Sequence, residues 1–78
     1  MAIPYQTPKQ RFALISAMVR TKSGYTLDGH QLREMVKQEW GLDYDWHVTA
    51  DTLDAMQIRG EVARHGMGAD RMVTYLIP

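Results

Sequence analysis

The chain has 78 residues, 45% apolar and 23% charged, with no cysteine and a formal net charge of zero. That length makes one domain, residues 1–78, which buries only about 60 to 65% of the surface its unfolded chain exposes. The composition excludes a disordered chain, a disulfide framework, a thiolate zinc site and the roughly 18-residue apolar run of a membrane span, and the opening Met-Ala-Ile-Pro-Tyr lacks the pattern of a secretion signal, so the cytoplasm is the expected compartment.

The charge is polarised along the chain. Residues 1 to 25 carry Lys9, Arg11, Arg20 and Lys22 without an acid, for +4; residues 26 to 54 sum to −5, and the remainder to +1. Cations displace counterions from phosphates, so this distribution permits a basic face that the net charge alone does not suggest.

Thr7, Pro8 and Gln10 read as an N-cap, a proline in the first turn and a capping-box partner. Phe12, Ile15, Met18 and Val19 then recur at helical spacing, and Ser23-Gly24 ends the first helix. Thr26 is the N-cap expected for a second helix carrying Leu32, Met35, Val36 and Trp40 as far as Gly41, with a very short strand at Tyr25-Thr26 as the other reading of its entry. Gly41 to His47 has no helical period and reads as a connection in which Leu42, Tyr44 and Trp46 turn inward.

Thr49 is the expected cap of a third helix, with Leu53, Met56 and Ile58 on its inner side and Gly60 as its stop. From there the period changes to that of strands. Glu61 to His65 and Arg71 to Ile77 form a predicted hairpin about the turn Gly66-Met67-Gly68-Ala69-Asp70, with Val73, Tyr75 and Ile77 on one face. A lone hairpin is marginal in water, so that face must pack on the helices.

The order helix, helix, helix, hairpin resembles the winged helix-turn-helix superfamily. Val48-Thr49-Ala50-Asp51-Thr52-Leu53 is similar to the opening of that family's recognition helix. Gly60-Glu61-Val62 resembles its exit into the wing, and Arg71-Met72-Val73-Thr74-Tyr75-Leu76 resembles its returning strand. The resemblance implies an α+β fold of three helices followed by a two-stranded antiparallel wing. It also implies a small transcriptional regulator that reads double-stranded DNA with the third helix.

On that reading Thr49, Ala50, Thr52 and Gln57 are candidates for base or phosphate contact, with Arg59 near the helix end. Arg64, His65 and Arg71 flank the hairpin turn and reach backbone or minor groove, while Lys9, Arg11, Arg20 and Lys22 supply a second phosphate strip. Each has a plainer reading: Thr49 is occupied capping its helix, the hairpin cations discourage edge pairing, and the first four are the wet side of a helix. Two features depart from the family pattern. The connection at Gly41 to His47 is long for a tight helix-turn-helix, and Asp51 and Asp54 stand where groove readers carry cationic or amide side chains.

Those acids support a second reading, a protein-interaction module whose Asp43, Tyr44, Asp45, Trp46, Asp51 and Asp54 meet a basic partner. A homodimer is expected under the DNA reading, because one short helix and wing cover little DNA. Asp43, Asp45 and His47 alternate but are too few for a metal site, and no cofactor is expected. Ser16 and Ser23 lack a nucleophile motif, and Gly66-Met67-Gly68 lacks the context of a phosphate loop, so no enzyme activity is expected.

Overall fold

Residues 6–68 and 71–78 are described by the computed structural model of the chain. Helix α1 (Pro8–Arg20) opens as its spacing predicts: the Thr7 hydroxyl accepts from the Gln10 amide and the Gln10 side chain accepts from the Thr7 amide. Strand β1 (Thr26–Leu27) follows, then α2 (Gly29–Trp40) and α3 (Trp46–Ile58), and the chain ends in β2 (Ala63–Met67) and β3 (Val73–Leu76). All three strands form one antiparallel sheet in the order β1-β3-β2. The fold is therefore a small α+β arrangement of three helices and a three-stranded sheet. Its element order is compatible with a winged helix, but the sheet has one strand more than the expected wing.

The extra strand explains the first departure from the sequence reading. Thr26 does not cap α2; it pairs with Leu76. The cap is Asp28, whose carboxylate accepts from the Gln31 amide at 2.8 Å while the Gln31 side chain accepts from the Asp28 amide at 2.9 Å. This second capping box satisfies N–H groups that a helix start leaves open. At the other end Gly41 takes a left-handed φ of 70°, the conformation expected of a glycine stop.

The second departure concerns α3. It begins at Trp46, ahead of the expected cap, with Asp45 in the cap position and no side-chain hydrogen bond from it. The connection from α2 is correspondingly shorter than the stretch Gly41 to His47. Thr49 lies one turn inside the helix and is fully buried. Gly60, at φ 77°, ends α3 as expected, with the Glu61 amide donating back to the Met56 carbonyl.

The third departure is in the hairpin. β2 runs beyond His65, so Gly66 and Met67 pair with Thr74 and Val73 instead of forming the turn. Ala69 and Asp70 of the predicted turn lie outside the described residues.

One apolar cluster holds these elements. Ile15 and Val19 enter it from α1, Leu32 and Val36 from α2, Leu53 and Met56 from α3, and Leu27, Val62, Tyr75 and Ile77 from the sheet and its approach. Ile58, expected inside, is 78% exposed. At 3.6 residues per turn Ile58 stands about 140° from Leu53 and about 160° from Met56, so a helix that buries those two turns Ile58 away.

Helices α2 and α3 approach closely at Gly29. A Cβ there would stand 2.9 Å from the Ala50 Cβ, nearer than two carbon atoms can sit. The neighbouring Thr49 hydroxyl is 2.6 Å from the Gly29 carbonyl and 3.0 Å from that of Trp46, and donates its one proton into that pair. Gly29→Ala is therefore expected to destabilise the protein by about 2 kcal/mol, the usual cost of forcing an extra methyl into a packed contact. A urea titration that leaves the midpoint of this variant unchanged would show that the contact is not tight.

Candidate nucleic-acid interface

The rotation of α3 decides which of its residues can touch a ligand. Thr49 is buried beneath α2, and Thr52 is buried with its hydroxyl donating to the Val48 carbonyl at 2.9 Å. Both are base-contact candidates by sequence, and neither presents a free polar atom to solvent. Ala50 and Gln57 are half-buried, and Ala50 is engaged at Gly29. The outward face is formed by His47, Asp51, Asp54 and Ile58, all exposed. Their spacing of four, three and four residues is that of one helix face, a signal readable from the sequence once the helix is extended back to Trp46.

The cations lie around this face, not on it. Arg59 is exposed at the end of α3 with its guanidinium 4.6 Å from the Phe12 ring centre, and half-buried Arg11 lies 5.6 Å from the Tyr44 ring centre. Contacts of this kind hold a guanidinium in place while leaving its edge free to donate. Lys9 is exposed in the first turn of α1. Lys22, half-buried, lies beyond the other end of α1, apart from that group. Arg20 is occupied: its Nη2 donates to Glu61 Oε1 at 2.8 Å, tying α1 to the approach to the hairpin.

Arg64, His65 and Arg71 are all exposed on the hairpin. The strand register passes from Arg64 opposite Tyr75 to Gly66 opposite Thr74, which leaves His65 as the extra residue of a bulge. A bulge bends its strand and re-aims the side chains around it. Arg71 occupies a left-handed backbone conformation at φ 64°. Such a conformation costs an L-residue roughly 1 kcal/mol relative to glycine, so local stability does not favour an arginine there. Met67, also on the hairpin, is 64% exposed.

The acidic set expected to meet a protein partner is partly dispersed. Asp43 Oδ1 accepts from Arg33 Nη2 at 3.0 Å, and half-buried Tyr44 donates its hydroxyl to Gln6 Oε1 at 2.7 Å. Trp46 is half-buried between two histidines, its ring 5.5 Å from that of His30 and 4.0 Å from that of His47. Asp45, Asp51 and Asp54 stay exposed. Among the described residues no group of three or more histidine and carboxylate side chains is placed to hold a metal ion, and no helix is long and apolar enough to cross a membrane.

Tyr75 joins the two charged regions. Burial pushes its hydroxyl above the ordinary tyrosine range, Asp54 of α3 adds to the rise, and Arg64 of β2 opposes it. Both charges therefore act on one buried phenol at the junction of α3 and the hairpin. Because the folded-state value is raised, the neutral phenol's contribution to stability is complete below the unfolded value near 10 and is lost as pH rises through the folded one. Thermal melts at about pH 8 and about pH 11 are expected to show a larger loss for the wild type than for Tyr75→Phe. Equal losses in the two proteins would place the Tyr75 hydroxyl outside this coupling.

Comparison with known proteins finds no matching family model, no matching curated protein and no matching solved structure, so the geometry alone bears on what this surface does.

Proposed function

We propose that this chain is a winged-helix domain that binds double-stranded DNA chiefly through its hairpin. In this reading Arg64, His65 and Arg71 meet the backbone, and Lys9, Arg11 and Arg59 add contacts beside them. The observation that carries the reading is the hairpin itself. Its two arginines are exposed, and among the described residues neither forms an ion pair. The arginine at φ 64° adds to it, since a residue kept against its backbone preference points to a role outside stability.

Helix α3 takes a different part from the one the resemblance implies. Asp51 and Asp54 on its outer face repel phosphates, and Thr49 and Thr52 are turned inward. Base reading by α3 is thus reduced to Gln57, with His47 and Ile58 at the two ends of the face. Affinity carried by phosphate contacts falls steeply with salt and depends weakly on sequence. The protein acts as a DNA-binding regulator whose attachment is mainly electrostatic.

A second reading is favoured by Ile58, an exposed aliphatic residue on the same face as two carboxylates. An apolar anchor ringed by acids suits a protein partner with a basic rim around a small pocket.

Fluorescence anisotropy with a labelled duplex of about 20 base pairs distinguishes the two, because counterion release gives a logarithmic salt slope of about −0.9 for each phosphate neutralised. Binding at low salt is expected. Combined Arg64→Ala and Arg71→Ala should lower affinity about tenfold or more and flatten the slope by about two phosphates' worth. Absence of binding at low salt would remove the DNA reading and leave the Ile58 face as the working surface.

A further inference from the structure

Among the described residues, helix α1 keeps apolar side chains that no other element fully covers. From Phe12 to Val19 the sequence Phe-Ala-Leu-Ile-Ser-Ala-Met-Val contains no charged side chain. Its one polar residue, Ser16, is buried, and its hydroxyl is directed to the Ala13 carbonyl at 3.2 Å. Ile15 and Val19 face the core, yet Ala13 and Ala17 are exposed and Leu14 and Met18 are only half-buried. A helix that is apolar all round is ordinarily covered all round.

Beside this face runs a groove of about 510 Å³. One wall is α1 and the turn after it, with Leu14, Ala17, Met18 and Lys22; the other is α2, with Met35, Glu39 and Trp40. No residue of α3 or the sheet lines it. The charges on its walls are opposite and unspent: Lys22 belongs to the α1 side and Glu39 to the α2 side, and among the described residues neither forms an ion pair.

We infer that the occupant of this groove is a second copy of the chain, related by a twofold axis that runs along the length of the groove. Such an axis lays the α1 wall of one copy over the α2 wall of the other, because half a turn about the groove's length exchanges its two walls in a self-complementary contact. Lys22 of each copy then faces Glu39 of its partner, so the charges that lack partners within one chain find them between two. The exposed alanines at 13 and 17, one turn apart, present low relief and let a second helix approach closely. This pairing is independent of the DNA reading, and it leaves α3 and the hairpin free.

Sedimentation of the purified full chain without nucleic acid tests the pairing. The wild type is expected to self-associate to twice the monomer mass at concentrations of ~100 µM or below. Lys22→Glu and Glu39→Lys should each weaken association about tenfold, since each sets like charges against one another twice per dimer. An equimolar mixture of the two variants should recover it, because the mixed dimer sets an acid against a base at both of its paired positions. Recovery on mixing separates charge complementarity from damage to either fold. Ala17→Glu, at an exposed helical position, should give a folded monomer by circular dichroism.

A wild type that stays monomeric at ~100 µM overturns the proposal and leaves the groove to another protein or an apolar ligand. A dimer indifferent to both charge reversals, or variants that fail to recover on mixing, overturns it as well and assigns self-association to a different surface.

Discussion

The close approach of Gly29 to Ala50 governs the rest of the structure. A glycine at the first position of α2 lets α3 lie against the helix backbone, and the Thr49 hydroxyl then reaches the Gly29 carbonyl at 2.6 Å. A steric gap and a directed hydrogen bond, at adjacent residues of α3, fix both how near the helix lies and how it is rotated. With that rotation set, Thr52, Leu53 and Met56 turn inward on the same side as Thr49, and Asp51, Asp54 and Ile58 are forced outward. The outer chemistry of α3 is a consequence of its inner contact. A buried threonine with its hydroxyl satisfied costs little, whereas the same residue left unpaired would lose roughly 1–3 kcal/mol.

This rotation produces an uneven electrostatic surface. Burial raises the Tyr75 hydroxyl, and Asp54 and Arg64 then act on it in opposite directions, so an acid of α3 and a cation of the hairpin converge on one buried side chain. Arg71, nearer the hairpin turn and outside the strands, is exposed. Exposed acids on the outer face of α3 and exposed cations on the hairpin are why helix and hairpin lead to separate functional readings.

Local signals are legible in the sequence and rotational ones are not. Thr7, Pro8 and Gln10 announce α1 because a capping box depends only on near neighbours in the chain. The same logic applies at Asp28 and Gln31, but Thr26 is an equally good capping type, and its pairing with Leu76 is a long-range contact that spacing does not reveal. At α3 the threonine that looks like a cap is a core residue. Trp46-His47 reads as the end of the connection because aromatic residues are weak helix formers and no helical period runs through Gly41 to His47. Residue type then misleads about facing: Ile58 is apolar but stands about 140° round the helix from Leu53, while polar Thr52 stands about 40° from Met56 and goes inward with it. The hairpin is legible, but glycine at position 66 suggests a turn where it stands next to a bulge inside a strand.

A chain this short, without cross-links, has little free energy to spare, and its strand pairings show where reinforcement is concentrated. The amide of Gly24 donates to the Ile77 carbonyl at 2.7 Å and the amide of Ile77 donates to the Tyr25 carbonyl at 2.9 Å, which closes the final strand onto the turn between α1 and α2. The Arg20–Glu61 pair joins the end of α1 to the start of the hairpin, although the second carboxylate oxygen is buried without a hydrogen bond and offsets part of the gain. Both devices anchor the hairpin, an element that would be marginal alone. Among the described residues no such device covers the outer side of α1, where helical turns without a charge lie beside the groove. The fold thus secures the basic hairpin from within, while among the described residues Ala13 and Ala17 of α1 stay exposed and Leu14 and Met18 only half-buried.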